Sequence, residues 1–148
     1  MKYEYRKYRL EIVMENVFNG CDYEVACSDD IHKFAVDICR LHKSPEEHFL
    51  AIAVNVKGKI IGYSTISIGD LCSTTTHPRE IFKFAISCNA GSVIFVHNHP
   101  SGDCLPSKTD IQTTKRLAKA GELLGIPVID HIIIGGENYT SMREKKLI

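Results

Sequence analysis

The sequence predicts a mixed α/β fold. A short apolar, β-branched run at residues 92–96 follows an Asn-Ala-Gly turn signal and predicts a buried strand. After an intervening loop, Ser107 and Asp110 form the Ser-x-x-acid pattern of a helix start. With 148 residues, of which 44% are hydrophobic, the chain suits one domain with a single core.

Periodicity in the first half of the chain predicts two strand regions and a helix. Residues 3–14 alternate tyrosine and aliphatic residues with charged ones, which predicts a strand. Ser28 is placed to cap a helix. Its apolar positions recur at helical spacing: Ile31, Phe34, Ala35 and Ile38. A hairpin follows, with strands at 49–54 and 60–68 joined across a Lys-Gly turn.

The second half predicts two helices and two further strands. Pro78 suits the first turn of a helix, whose buried stripe would comprise Ile81, Phe82, Ala85 and Cys88. A longer helix over 108–124 ends near Gly125, with a proline beyond it as a stop. A buried strand at 128–134 then turns through two glycines into residues 139–142.

Two histidines and an aspartate lie at metal-ligand spacing around the predicted strand-loop-helix unit. Residues two apart on a strand point to the same face, so His97 and His99 would project together from the strand end. Asp110, on the first helical turn, can reach back to them. Two neutral imidazoles and one carboxylate leave a fourth tetrahedral position open, as in catalytic zinc sites. Alternatively, the histidines are ordinary hydrogen-bonded residues and Asp110 only caps its helix, for roughly 1 kcal/mol.

The pattern His97-x-His99-Pro100 followed by Ser107-x-x-Asp110 resembles the JAMM (MPN+, JAB) metallopeptidase signature. The longer strings HNHPSGD and PSKTD are similar to its RadC-like branch, as are HPREIFKFAI before them and GIPVIDHIIIG after them. The similarity extends over about residues 45–144. It implies a cytidine-deaminase-like α/β fold with a mixed sheet between helices, and Zn²⁺ held by the two histidines and the aspartate.

The resemblance also implies two catalytic residues. The family carries a glutamate just ahead of an apolar strand that acts on the attacking water. Its counterpart lies in residues 44–50, where the Glu-x-Phe spacing typical of the RadC-like branch selects Glu47 and leaves Glu46 as the alternative. Ser107 matches the family serine that donates a hydrogen bond to the developing oxyanion. Helix capping competes for the same hydroxyl, and we do not expect one serine to serve both roles readily.

Two further residues near the motif are open to two interpretations. His131, next to Asp130 in a buried strand, could orient a metal ligand, but a hydrogen-bonded core histidine is the preferred interpretation. Cys104 lies in the loop between the ligands, where RadC-like chains tend to have proline. An ordinary loop cysteine is preferred there over a metal ligand or an oxidisable thiolate.

Charge and cysteine usage restrict partners and compartment. The 18 basic and 18 acidic residues balance, so the net charge does not indicate binding to nucleic acid. Short basic clusters at 2–9 and 143–146 are explained by solvated faces. Six cysteines without a Cys-x-x-Cys pair predict reduced thiols. Without an apolar run of about 20 residues or a signal-like N-terminus, we expect a cytoplasmic protein and no membrane partner.

The sequence thus predicts one domain over 1–148, in which an N-terminal strand and helix (1–44) precede a metal-site core (45–144). The predicted function is that of a zinc-dependent JAMM-type hydrolase that cleaves a peptide, isopeptide or other amide bond in a peptide or protein substrate. One alternative is a RadC-type DNA repair or processing protein, although no helix-hairpin-helix signal occurs in the first 45 residues. The other is a binding module of MPN type without turnover.

Overall fold

A computed structural model describes residues 24–69 and 76–148, so the strand predicted at 3–14 lies outside the described residues. A single 3-10 turn spans Leu41–Lys43. The helices and strands are, in chain order, α1 (Ser28–Asp37), β1 (His48–Val54), β2 (Ile60–Ile68), α2 (Pro78–Ser87), β3 (Ser92–Asn98), α3 (Lys108–Leu124), β4 (Val128–Gly135) and β5 (Asn138–Ser141).

The five strands form one mixed sheet in the order β2-β1-β3-β4-β5. β1 and β2 form the predicted antiparallel hairpin, β1 also pairs antiparallel with β3, and β5 pairs antiparallel with β4. β3 and β4 are parallel, and α3 makes the crossover between them. The predicted mixed sheet flanked by helices is confirmed.

Helices cover both faces of the central strands of the sheet. In β1, the residues after His48 form an unbroken apolar run, and their side chains are buried on both sides. On one face, Leu50, Ile52 and Val54 pack with residues of α1. On the other face, Phe49 and Ala51 pack with residues of α2 and α3. The central strands are thereby packed between helices, and the motif histidines lie at the C-terminal end of β3.

Helix ends match the sequence with one correction. α3 begins after the N-cap Ser107 and ends at Gly125, which has a left-handed φ of 71°. α1 begins at Ser28 itself, and the N-cap is Cys27, so the prediction that Ser28 caps this helix is wrong. The Asp30 carboxylate accepts from the backbone N–H of Cys27, and the Ser28 hydroxyl bonds instead to Tyr139 at 3.2 Å and to Glu144.

Within the two described stretches, no helix combines the length and the apolar character that crossing a lipid bilayer requires.

Candidate metal centre

The two histidines of the motif converge at the C-terminal end of β3. His97 is the next-to-last residue of the strand and His99 follows it directly, so their side chains point to the same side. Their Nε2 atoms lie 2.9 Å apart. The His97 side chain is fully buried, whereas 18% of the His99 side chain is exposed. The pair therefore faces a boundary between core and solvent.

Asp110 reaches both histidines from the first turn of α3. Its Oδ1 lies 3.6 Å from His97 Nε2 and its Oδ2 lies 3.6 Å from His99 Nε2. A tetrahedral zinc ion with bonds of about 2.0–2.1 Å separates its ligand atoms by about 3.3 Å. The observed spacings of 2.9 and 3.6 Å bracket that value. The three side chains therefore fit a single small cation.

A second carboxylate, that of Glu47, joins the histidines. One ligand atom from each of Glu47, His97 and His99 lies within 4.8 Å of the others. Glu47 is half-buried and immediately precedes β1, whose Phe49 pairs with His97 in the sheet. Its neighbour Glu46 is exposed and does not belong to this cluster. The antiparallel pairing of β1 with β3 thus brings Glu47 to the histidines.

Asn98, between the two histidines, holds the segment that carries Glu47. Its side-chain oxygen accepts from the backbone N–H of His48 at 2.8 Å. Its amide donates to the backbone carbonyl of Glu46 at 3.0 Å, with a longer contact to that of Ser44 at 3.4 Å. Asn98 is 3% exposed. A buried amide therefore binds the main chain on both sides of Glu47.

The second nitrogen of each motif histidine is also hydrogen-bonded. His99 Nδ1 lies 2.6 Å from the main-chain carbonyl of Asp103, and a carbonyl only accepts, so Nδ1 carries a proton and the neutral imidazole would keep its lone pair on Nε2. Hydrogen bonding to Asp110 raises the pKa of His99, so this neutral form is the one that a metal would select. His97 Nδ1 lies 2.7 Å from Nε2 of His131, which is buried. His131 Nδ1 lies 2.6 Å from the hydroxyl of Thr114. His131 is therefore a hydrogen-bonded core histidine, as predicted, and it also contacts His97 directly.

Burial and charge set the protonation states. Burial lowers the pKa of His97 to about 4, and it lowers the pKa of His131 well below the usual value. Burial alone would raise the pKa of Asp110, but His99, His97 and Ser107 together hold it well below its ordinary range. At neutral pH, His97 and His131 are therefore neutral and Asp110 is ionised, which are the forms that bind a cation.

Ser107 caps α3 without using its proton. Its Oγ accepts from the backbone N–H of Asp110 at 3.1 Å, and its own N–H donates to the Asp110 carboxylate at 2.7 Å. The cap needs only a lone pair, so the hydroxyl hydrogen is not consumed by it. The capping role predicted for Ser107 is confirmed, and its donation of a hydrogen bond to an oxyanion stays a prediction.

Cys104 is half-buried, and the hydroxyl of Thr140 contacts its Sγ at 3.5 Å. It is not part of the cluster of Glu47, His97 and His99. The four cysteines in the described part of the chain are free thiols: Cys27, Cys39, Cys88 and Cys104.

Sequence reasoning missed the roles of Asn98 and Thr114. A signal was present for Thr114, because it lies four residues after Asp110 and therefore on the same face of α3. Asn98 had none beyond its place inside the motif. Its contacts join β3 to a segment about 50 residues earlier in the chain, and no local pattern reports such a pairing.

A mixed sheet covered by helices, with histidines and carboxylates at the end of a central strand, defines an α/β domain of the JAB type with a candidate metal centre. The chain belongs to the RadC family, because the model of the RadC-like JAB domain matches residues 25–147.

Three relatives illustrate the similarity. A UPF0758 protein of Desulforamulus reducens is 49% identical over 124 residues, which are 84% of this chain and 54% of that protein. One of Geobacillus kaustophilus is 46% identical over 129 residues, covering 86% of this chain and 56% of the relative. One of Caldanaerobacter subterraneus subsp. tengcongensis is 47% identical over 126 residues, which cover 85% of this chain and 53% of that relative. The chain therefore spans about half the length of these relatives, and their names give no specific function.

Proposed function

We propose that this domain is a zinc-dependent hydrolase that cleaves a peptide, isopeptide or other amide bond. The observation that carries this proposal is the convergence of His97 Nε2, His99 Nε2 and the Asp110 carboxylate, with Glu47 within reach of both histidines. Two neutral nitrogen donors and one carboxylate are a ligand set of catalytic zinc sites, which keep one position open.

Asp110 is the better of the two carboxylates to hold the metal. It is 4% exposed, and the N-terminus of α3 fixes it through two hydrogen bonds with Ser107. A buried, ionised carboxylate that already accepts a hydrogen bond from the Ser107 N–H suits a ligand. Glu47 is half-buried just before β1 and closer to solvent, which suits a group that exchanges protons with a substrate. We therefore assign Asp110 to the metal and Glu47 to proton transfer.

When bound, zinc supplies a Lewis acid that lowers the pKa of a coordinated water towards ~7 and polarises the substrate carbonyl. Glu47 takes the proton from the attacking water as a general base and gives it to the departing amine as a general acid. The Ser107 hydroxyl, whose hydrogen the helix cap does not use, donates to the oxygen that develops negative charge. His97 and His99 would hold the metal through their Nε2 lone pairs.

The substrate in this proposal is a peptide or protein. The cleaved bond is a peptide bond, an isopeptide bond or another amide bond. The chain has no excess of basic over acidic residues, so we expect only weak, sequence-independent contact with DNA. Zinc as the resident metal and the cytoplasm as the compartment belong to the same proposal.

The test incubates the zinc-loaded protein with a library of peptides and lysine-linked isopeptides, and separately with duplex DNA at several salt concentrations. We expect amide hydrolysis that a chelator abolishes and that added zinc restores. Metal-dependent DNA cleavage that His99→Ala abolishes, without amide hydrolysis, would contradict the proposal in favour of DNA processing. Turnover of neither substrate by a zinc-loaded protein would favour a binding module.

A further inference from the structure

A chain of three short hydrogen bonds leads from His97 back to Asp110. His97 Nδ1 lies 2.7 Å from His131 Nε2, and His131 Nδ1 lies 2.6 Å from Thr114 Oγ1. Thr114 Oγ1 lies 2.6 Å from the main-chain carbonyl of Asp110. All four residues are buried, with Thr114 and His97 at 0% exposure. His97 and Asp110 are thus connected in two ways, by the direct approach of their side chains and by this series of hydrogen bonds through His131 and Thr114.

The direction of every bond in this chain follows from its last acceptor. The Asp110 carbonyl has no proton, so the Thr114 hydroxyl must donate its single hydrogen to it. Two other atoms lie near that hydrogen: Met142 Sδ, a weak acceptor at 3.6 Å, and His131 Nδ1 at 2.6 Å, which could accept it only in the opposite tautomer and would then leave the Asp110 carbonyl without the Thr114 donor. The Thr114 oxygen then accepts from His131, which therefore carries its proton on Nδ1 and a lone pair on Nε2. That lone pair accepts from His97 Nδ1–H.

The consequence falls on the other nitrogen of His97. A neutral imidazole has one proton, and with that proton on Nδ1 the Nε2 lone pair faces Asp110 and His99, where a metal would bind. If the hydrogen bonds ran in the opposite direction, neutral His97 would carry its hydrogen on Nε2 and could not bind a metal through that nitrogen. The direction of these hydrogen bonds therefore decides whether His97 Nε2 can bind a metal.

We infer that Thr114 and His131 are positioning residues that hold His97 in its metal-binding tautomer, with the Asp110 carbonyl as the fixed acceptor. This inference rests on the proposed zinc site and adds to it two residues outside the His-x-His-Pro and Ser-x-x-Asp signature. Asp110 then has two roles. Its carboxylate faces the histidines, and its main-chain carbonyl sets the direction of the hydrogen bonds from Thr114 to His97. Groups that orient a metal-bound histidine in this way commonly change metal affinity 10–100-fold when removed, roughly.

The test compares Thr114→Val, which removes the hydroxyl at nearly constant shape, with Thr114→Ser, which keeps it. The tautomer of His97 is measured in the zinc-free protein from histidine ¹⁵N shifts in long-range correlation spectra. The zinc Kd is measured by competition with a chromophoric chelator. In wild type and Thr114→Ser we expect the proton on His97 Nδ1 and similar affinity. In Thr114→Val we expect a mixture of tautomers and a Kd raised at least about tenfold.

A second pair covers the case in which Thr114→Val does not fold. His131→Gln places an amide oxygen where Nε2 accepts from His97, so we expect much of the zinc affinity to survive. His131→Leu offers no acceptor, and we expect the affinity to fall at least about tenfold.

The inference is overturned if His97 in the zinc-free wild type carries its proton on Nε2. It is also overturned if folded Thr114→Val matches wild type in both tautomer and Kd, or if His131→Leu binds zinc as tightly as His131→Gln. A wild-type protein that shows the Nδ1–H tautomer but binds no zinc would contradict the proposed function and leave the hydrogen-bond order standing. The two failures are therefore distinguishable.

Discussion

The imidazole of His99 donates a hydrogen bond from Nδ1 to the main-chain carbonyl of Asp103, over 2.6 Å. This bond orients His99 Nε2 towards His97 and Asp110, so the loop that carries Asp103 acts as a support for the metal centre. That loop in turn lies against Gly135, the last residue of β4. A Cβ atom at position 135 would come within 2.5 Å of the backbone nitrogen of Cys104 and of the carbonyl oxygen of Gly102.

We expect Gly135→Ala to displace this loop and weaken zinc binding. The clashing atoms belong to the main chain, which cannot rotate away as a side chain could, so a destabilisation of about 1–3 kcal/mol is expected. Zinc affinity should fall roughly tenfold as the Asp103 carbonyl leaves His99. Gly62→Ala is the control, because a Cβ there meets nothing within 4 Å. Equal melting temperatures and equal zinc Kd values for the two variants would contradict this prediction.

Removal of any proposed ligand should remove the metal. Elemental analysis of the purified wild type is expected to give about one zinc per chain, and His97→Ala, His99→Ala and Asp110→Ala should each retain little. Asp29→Ala, which changes a carboxylate on α1 paired with Lys33, serves as the control and should retain wild-type zinc. Equal metal content in all variants would contradict the assignment of the site.

Glu47→Gln should retain zinc and lose turnover. The amide is close to the carboxylate in shape but cannot accept a proton from water, so a loss of about 10²–10⁴ in kcat is expected. Glu46→Gln is the matched control at the exposed neighbouring position, and it should behave as wild type. If Glu46→Gln were inactive and Glu47→Gln active, the general base would be the other glutamate.

Asn98→Asp should disturb the segment that holds Glu47. The new carboxylate can still accept from His48 N–H but cannot donate, and it would lie 3.0 Å from the Glu46 carbonyl in a buried position. We expect a stability loss of about 1–3 kcal/mol and reduced turnover with zinc retained. Asn55→Asp is the control, because Asn55 uses its side-chain oxygen to accept from Lys57 and Lys59. Thermal unfolding should separate the two, and equal melting temperatures would argue against the role of Asn98.

Cys39 should alkylate far more slowly than Cys27. Burial raises the pKa of Cys39 to about 12, against a weaker opposing hydrogen bond with Tyr63. A pKa of about 12 in place of the usual value near 9 lowers the thiolate fraction at pH 8 by roughly two to three orders of magnitude, and the thiolate is the reacting form. Cys27 is exposed and provides the internal comparison. Iodoacetamide labelling at pH 8, followed by peptide mass spectrometry, should show this order, and equal rates would contradict it.

The sequence by itself determined most of the helices and strands and the motif at their junction. Periodicity gave β2 and α3 with the bounds that the structure shows, and β1 and β3 to within two residues at one end. The spacing of two residues on a strand was sufficient to predict that His97 and His99 point the same way. Ser107 and Asp110 form a capping box, as a Ser-x-x-acid pattern predicts. These are local properties, because each depends on residues a few positions apart.

Tertiary structure alone decided which groups surround the histidines. Pairing of β1 with β3 brings in Glu47 and lets Asn98 bind the chain about 50 residues earlier. The crossover through α3 places Thr114 beside His131 on β4. Local periodicity reports how a segment folds, whereas the close contact of distant segments is set by the burial of both faces of one sheet. The sequence therefore predicts the histidines and their helix, and the packing of the sheet supplies the residues that orient them.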